Sequence, residues 1–340
     1  MAGTRISERL PPRAEPTHAT VAFGDRALPR LSAELQHVEL RVRQGALAAL
    51  GERVHDAERA YEAIRAGILD RLKLLLKDEE GSVRTRTAEV LYLLATHSVG
   101  REAMLRTHVV PTLSGLLDEP VHACRKNIHQ TLKMLAEFPA GVSCMVASGL
   151  VPRLLMRVPE EQEDVRALVL STLSSCMRED ALPALANGGV AVLKEQLSHT
   201  CPDIRRAATS ATLAISVPVE GKRRLCEEDV LPILVGLLSD HDLAVSANAA
   251  GAIMNTAVIT KGKVQALETG VIQPLLCLLG RGHTAACTNA LRALTCLAEV
   301  PSARQQLLPH LPLLESLLRH PAPIIQRAGS TAIQVVSWTP

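Results

Sequence analysis

Few residues in this 340-residue chain have types and spacing that could do chemistry, and each must be weighed with its neighbours. Thr260, Lys261, Gly262 and Lys263 include the Gly-Lys pair of a phosphate-binding loop. Such a loop also needs an earlier glycine, so that backbone N–H groups can cradle the phosphates, and a hydroxyl residue after the lysine to reach the metal ion. Those two places hold Ala257 and Val264. Gly280 and Gly282 lack the third glycine of a dinucleotide fingerprint, and turns explain both. His122, Cys124 and His129 are close in sequence, but they have neither paired-cysteine nor His-Glu-x-x-His spacing, and Cys124 falls on a helix position that should face the core. There is no Gly-x-Ser-x-Gly nucleophile elbow. The expectation is a protein that is not an enzyme, with no cofactor, no metal and no small-molecule substrate.

Charge gives a second set of candidates. Arg43, Arg84, Arg125, Arg166 and Arg205 recur at nearly equal spacing, and the row continues as Ser246, Cys287 and Gln326. A basic row could bind an acidic partner. It could equally pair with local carboxylates such as Asp78, Asp118, Asp164 or Asp203, which is the commoner fate of such rows. Gln130, Arg292 and Asn255 join the candidate partner-binding residues. Glu160, Glu161, Glu163 and Asp164 read as a solvated elbow.

The elements that must position these residues repeat. Positions equivalent to Pro232 are Asp70, Pro111, Pro152, Ala191, Pro274 and Pro312; those equivalent to Val245 are Val42, Val83, Cys124, Val165, Ile204, Ala286 and Ile325. Both series advance by about 41 residues, the period of a helical repeat. After each Val245-type anchor, apolar or small residues follow at helical spacing, as in Thr87, Val90, Leu91 and Leu94, or Ala290, Ala293, Leu294 and Leu297. Gly67, Gly149, Gly188 and Gly270 stand three or four residues before the Pro-type position. A glycine can close one helix in a left-handed turn, and a proline can open the next, where its missing N–H would be unpaired anyway. A short helix fits before these glycines, over Gly141–Ser148 and Gly262–Thr269. Three helices per unit define the expected fold class: an all-α, armadillo-like, right-handed superhelical solenoid of about seven repeats, preceded by a partial N-terminal capping repeat with Leu31, Leu35, Val42, Ala46, Ala49 and Leu50 in its core. The expected boundaries are a flexible, Pro-containing arm over residues 1–27 and the solenoid over residues 28–340.

Composition narrows the function classes. Only 1% of residues are aromatic, so Leu, Ala and Val must fill the core, and nucleic-acid bases would find almost nothing to stack on. A formal net charge of +2 offers no general field for nucleic acid or anionic lipid. The eight cysteines include no Cys-x-x-Cys pair and several fall in the helix register, which points to reduced core thiols and an intracellular compartment. The opening MAGTRISERLPP has no apolar secretory stretch, and the chain reads as soluble, without a membrane partner.

Asn248–Asn255, NAAGAIMN, resembles the third helix of armadillo repeats. Peptide-binding members of that family carry an Asn ladder with Trp four residues earlier. Here the Asn places read Leu93, Met134, Ser175, Ala214, Asn255, Cys296 and Val335, and the Trp places read Glu89, Gln130, Ser171, Ser210, Gly251, Arg292 and Thr331. A groove that clamps extended basic peptides is therefore not expected, and Asn255 reads as a local helix-to-helix hydrogen bond. Ala88–Arg101 (AEVLYLLATHSVGR), Val230–Asp240 (VLPILVGLLSD), Asn248–Val258 (NAAGAIMNTAV) and Val335–Pro340 (VVSWTP) resemble, more specifically, the armadillo subunit family of the axonemal radial spoke. That resemblance implies a non-catalytic scaffold in the axoneme of motile cilia and sperm flagella, a cytoskeletal location, with other radial spoke subunits and axonemal proteins as partners. The alternative is a soluble cytoplasmic armadillo adaptor that binds peptides or regulates a small GTPase.

Overall fold

A computed structural model describes residues 27–338, and every regular element among them is a helix. The expected N-terminal arm, residues 1–27, lies outside the described residues except for Ala27, which opens the first helix. The chain forms two compact units, one ending at Met134 and the other beginning at Leu135.

The first unit opens with a helix pair, α1 (Ala27–Glu34) and α2 (Leu40–Arg53). Two triplets follow: α3 (Ala57–Arg65), α4 (Ile68–Leu75) and α5 (Gly81–Thr96), then α6 (Ser98–Arg106), α7 (Val109–Ser114) and α8 (His122–Leu135). The second unit continues the pattern with α9 (Pro139–Ala147), α10 (Leu150–Arg157) and α11 (Glu163–Glu179), then α12 (Leu182–Ala186), α13 (Gly189–Leu197) and α14 (Pro202–Ile215). Its later triplets are α15 (Val219–Glu227), α16 (Leu231–Leu237) and α17 (Leu243–Thr256); α18 (Thr260–Glu268), α19 (Ile272–Leu279) and α20 (Thr284–Leu297); and α21 (Pro301–Leu307), α22 (Leu311–Ser316) and α23 (Pro323–Val336). The short helices expected near Gly141 and Gly262 are α9 and α18.

The long third helices carry the anchors inward. Val83, Cys124, Val165, Ile204, Val245, Ala286 and Ile325 are all buried, as are Thr87, Val90, Leu91 and Leu94 along α5. Val42, in the opening pair, is only half-buried. Helix starts follow from local chemistry. Asp56 accepts the N–H groups of Glu58 and Arg59, Asp242 accepts that of Ala244, and Pro139, Pro202 and Pro301 sit in first turns. No described helix is by itself long and apolar enough to cross a membrane. The α9–α10 pair would pass such a test only as a pair bent by 86°, and Val142, Met145, Leu150 and Leu154 are buried inside the fold.

Between the first and second helices the chain passes through the left-handed region. Gly67, Gly149, Gly188 and Gly270 have φ of 76°, 68°, 71° and 72°. The same turn is made by His108 at 54° and Asp229 at 52°, which places the turn three residues before Pro111 and Pro232. By that register the partner of Gly270 is Gln273, so Pro274 stands one residue late. A side chain costs about 1–2 kcal/mol in this conformation. Asp229 recovers part of that by accepting a hydrogen bond from Gln265, whereas His108 is exposed. His108→Gly is therefore expected to raise stability by about 0.5–1 kcal/mol after the added freedom of the unfolded chain is counted. Urea denaturation would check this; a lower midpoint would contradict it.

Candidate interaction surface

At seven of the eight anchors, all but Ala286 with its Cys287, the following residue does one job: it donates to the elbow carbonyls just before its own helix. Arg43 Nη1 reaches the His37 and Val38 carbonyls, Arg84 Nη1 those of Asp78 and Glu79, Arg125 Nη1 those of Glu119 and Pro120, and Arg205 Nη1 those of His199 and Thr200. Arg166 makes the same contact one residue later, at the Glu161 carbonyl. Where arginine is absent, Ser246 Oγ donates to the Asp240 carbonyl and Gln326 Nε2 to that of His320. These carbonyls lie outside any helix and lack a ladder partner, so a fixed donor there stabilises the elbow.

Arg43, Arg84, Arg166 and Arg205 also reach forward to the elbow of the following triplet. Arg43 pairs with Asp78 at 3.0 Å, and Arg84 forks onto Glu119 with bonds of 2.7 and 2.8 Å. Arg205 forks onto Asp240 with bonds of 2.7 and 3.3 Å, and Arg166 reaches Gln196 at 3.4 Å. Arg281 occupies the Asp240-equivalent place, and there the polarity reverses: its guanidinium donates to Ser246 at 3.0 Å. The carboxylates of Asp78 and Asp240, and the His37, His199 and His320 rings through Nδ1, also accept the N–H two residues on, which shapes each elbow. The Arg row is thus engaged inside the chain, and Arg43, Arg84 and Arg205 meet Asp78, Glu119 and Asp240. Asp203, expected as one such partner, pairs with Arg206 instead.

The elbow run at Glu160–Asp164 is not solvated throughout. Glu160 and Glu163 are exposed as expected, but Glu161 is buried and accepts from Arg157 at 2.6 Å. A run of acidic residues turns one member inward when an arginine at the end of the preceding helix, here α10, can meet it.

The paired carboxylates make stability depend on acid. Hydrogen bonds from Arg84 outweigh burial and hold the Glu119 carboxyl below the usual carboxylate range. Burial is the largest influence on Asp240 and pushes it up, but the Arg205 hydrogen bond and the Asp242 N–H together hold it below that range. A depressed folded-state pKa means that the folded chain binds fewer protons than the unfolded one. This contribution is therefore complete above the unfolded value of about 4 and is lost as pH falls through the folded values. Urea midpoints measured from pH 6 to pH 2 should fall below about pH 4, and Glu119→Gln should flatten that fall. An unchanged slope in the variant would contradict the pairing.

Asparagines on the third helices also bind neighbouring helices. Asn255 Nδ2 donates to Ser216 Oγ at 2.9 Å, Asn289 Nδ2 to the Ala247 carbonyl at 2.9 Å, and Asn127 and Asn248 make longer contacts to the Thr85 carbonyl and Thr209 Oγ1. A Cβ added to Gly251 would lie 2.9 Å from a Leu213 methyl and 3.0 Å from Asn289 Nδ2, so those side-chain ends would have to move to admit it. Gln130 is half-buried on α8 and Arg292 is exposed on α20. In the second unit, α17, α20 and α23 enclose an open groove of about 590 Å³, lined by Met254, Val258, Arg292, Cys296, Ile324 and Arg327, among others.

Among the described residues no group of three His, Cys, Asp or Glu side chains could hold a metal ion. All eight cysteines are free thiols. Burial pushes Cys124 up to about 11 and Cys176 up to about 12, so both are weak nucleophiles at neutral pH. Only Cys277 is exposed. Alkylation of the native chain should mark Cys277 first and spare Cys124 and Cys176 until denaturant is added; early labelling of Cys176, read by mass spectrometry, would contradict the packing.

Helix triplets, buried anchors and interlocked elbows make the fold armadillo-like. Solved structures agree: an engineered protein matches with TM-score 0.84 at 21% identity, over 91% of this chain and 78% of its own. A computationally designed armadillo repeat protein for modular peptide recognition matches with TM-score 0.63 at 21% identity, and one solved with the peptide (KR)4 matches with TM-score 0.61 at 21% identity; in both cases the match covers 67% of this chain and 99% of the other. By sequence, the chain is similar to Radial spoke protein 14 of Chlamydomonas reinhardtii, at 26% identity over 78% of this chain. The match spans 62% of the length of that relative. No protein-family model matches the chain.

Proposed function

We propose that this protein is a non-catalytic scaffold subunit of the axonemal radial spoke in motile cilia and flagella, holding other spoke and axonemal proteins on its helical surfaces. The observation that carries this reading is the sequence similarity to Radial spoke protein 14 on an armadillo fold. The interior supports it in a second way. The polar side chains that could have formed a catalytic or ligand-clamping set, the Arg row and Asn255 among them, are engaged by elbows and neighbouring helices. What remains available is surface.

Fractionation of motile ciliated cells expressing the tagged chain tests the reading. The protein should sediment with detergent-extracted axonemes and leave them only at high salt. Release by detergent alone would favour a soluble adaptor, the reading that the groove along α17, α20 and α23 would then serve.

A further inference from the structure

We propose that the groove formed by α17, α20 and α23 receives an acidic, aliphatic segment of a protein partner; this rests on the reading of the chain as a protein-binding scaffold. Met254, Val258, Cys296 and Ile324 give the groove an apolar floor, with Val258 59% and Ile324 41% exposed. Arg292 and Arg327 stand over it, both exposed. Neither forms an ion pair with any described residue, and the one hydrogen bond of Arg327 is a 3.4 Å contact to the Pro323 carbonyl. No carboxylate lines the groove. This contrasts with Arg43, Arg84 and Arg205, each of which has a carboxylate partner.

Two unpaired guanidinium groups beside an apolar floor call for carboxylates flanking an aliphatic side chain, which would satisfy both at once. At about 590 Å³ the groove is of ligand-pocket size, large enough for a short peptide segment and oversized for a single anion. Its sign is opposite to what a basic peptide such as (KR)4 requires, so the ligand class differs from that of the designed neighbour solved with that peptide.

The test is a selection from a random decapeptide library with the full chain, followed by affinity measurement on the best sequences. The wild type should enrich Asp or Glu next to Leu, Ile or Val. The double variant R292E/R327E should lose at least tenfold in affinity for those peptides, while R292K/R327K should retain most of it. Both positions are exposed, so the melting midpoint should hold; if the double reversal lowers it, Arg292→Gln alone takes its place with the same criterion. Enrichment of basic or uncharged peptides, no enrichment, or acidic-peptide binding that survives charge reversal would each overturn the proposal. Because the selection uses purified protein, it stands or falls apart from axonemal sedimentation.

Discussion

Leu234→Asp unfolds the second unit under conditions where the wild type is fully folded. Leu234 lies in α16, is completely buried, and belongs to the helix that packs on α17 and α18. Truncating a buried leucine costs about 2–5 kcal/mol, and a carboxylate buried in the same place adds its own desolvation. The sum approaches the entire stability of an ordinary domain, about 5–15 kcal/mol. A helical triplet cannot bury its apolar face alone, so damage at one contact is felt by its neighbours. Leu182→Asp makes the matched control, because Leu182 is 59% exposed at the start of α12. Urea unfolding followed by circular dichroism should show a collapsed midpoint for the first variant and little change for the second. A Leu234→Asp chain with the wild-type midpoint would refute the repeat register itself.

Gly221→Ala is the second large effect, and a smaller change could hardly produce it. At the reversal from α14 into α15, a Cβ on Gly221 would stand 1.8 Å from the Ile215 carbonyl oxygen. The same crowding recurs at Gly100, Gly141 and Gly262, where the distances to the Leu94, Leu135 and Thr256 oxygens are 1.9, 2.1 and 2.1 Å. No rotamer relieves a clash between Cβ and backbone, so the reversal must open and the helices must shift against each other. The expected cost is about 3 kcal/mol, at the upper end of overpacking effects. Gly236→Ala is the informative contrast. Gly236 is helical and exposed, and a Cβ added to it would meet nothing within 4 Å, so alanine there should stabilise by about 0.5–1 kcal/mol. Opposite signs from the same substitution would establish the close approach, whereas equal and small effects would remove it. The third residues of α12 and α21 are already alanine, Ala184 and Ala303, so the crowding belongs to particular reversals.

The architecture was legible because core-facing helix positions must repeat when identical units stack. The anchors from Val83 to Ile325 follow from spacing alone, and so do the left-handed turns that use glycine. His108 and Asp229 make the same turn without glycine and become visible only once the register is known. Pairing was harder to read. The carboxylate that meets Arg84 is Glu119 and the one that meets Arg205 is Asp240, each 35 residues on. Distance in sequence favours the acid in the same elbow, but the stacking brings the next elbow closer. A signal was present nonetheless: Asp78, Glu119 and Asp240 occupy one register position, and Arg281 takes that position opposite Ser246. Glu161 illustrates the remaining limit, because a charged run does not reveal which member points inward. Gly221 and its equivalents announced a turn, while the carbonyl six residues earlier that forbids a side chain is set by the angle between helices.

Electron tomography of axonemes carrying the tagged chain tests the central claim most directly. Tag density is expected on the radial spokes, at one site per repeat of the axoneme, persisting after detergent extraction and disappearing when the chain is deleted. Tag density spread through the cytoplasm with none on the spokes would contradict a scaffold role in the spoke.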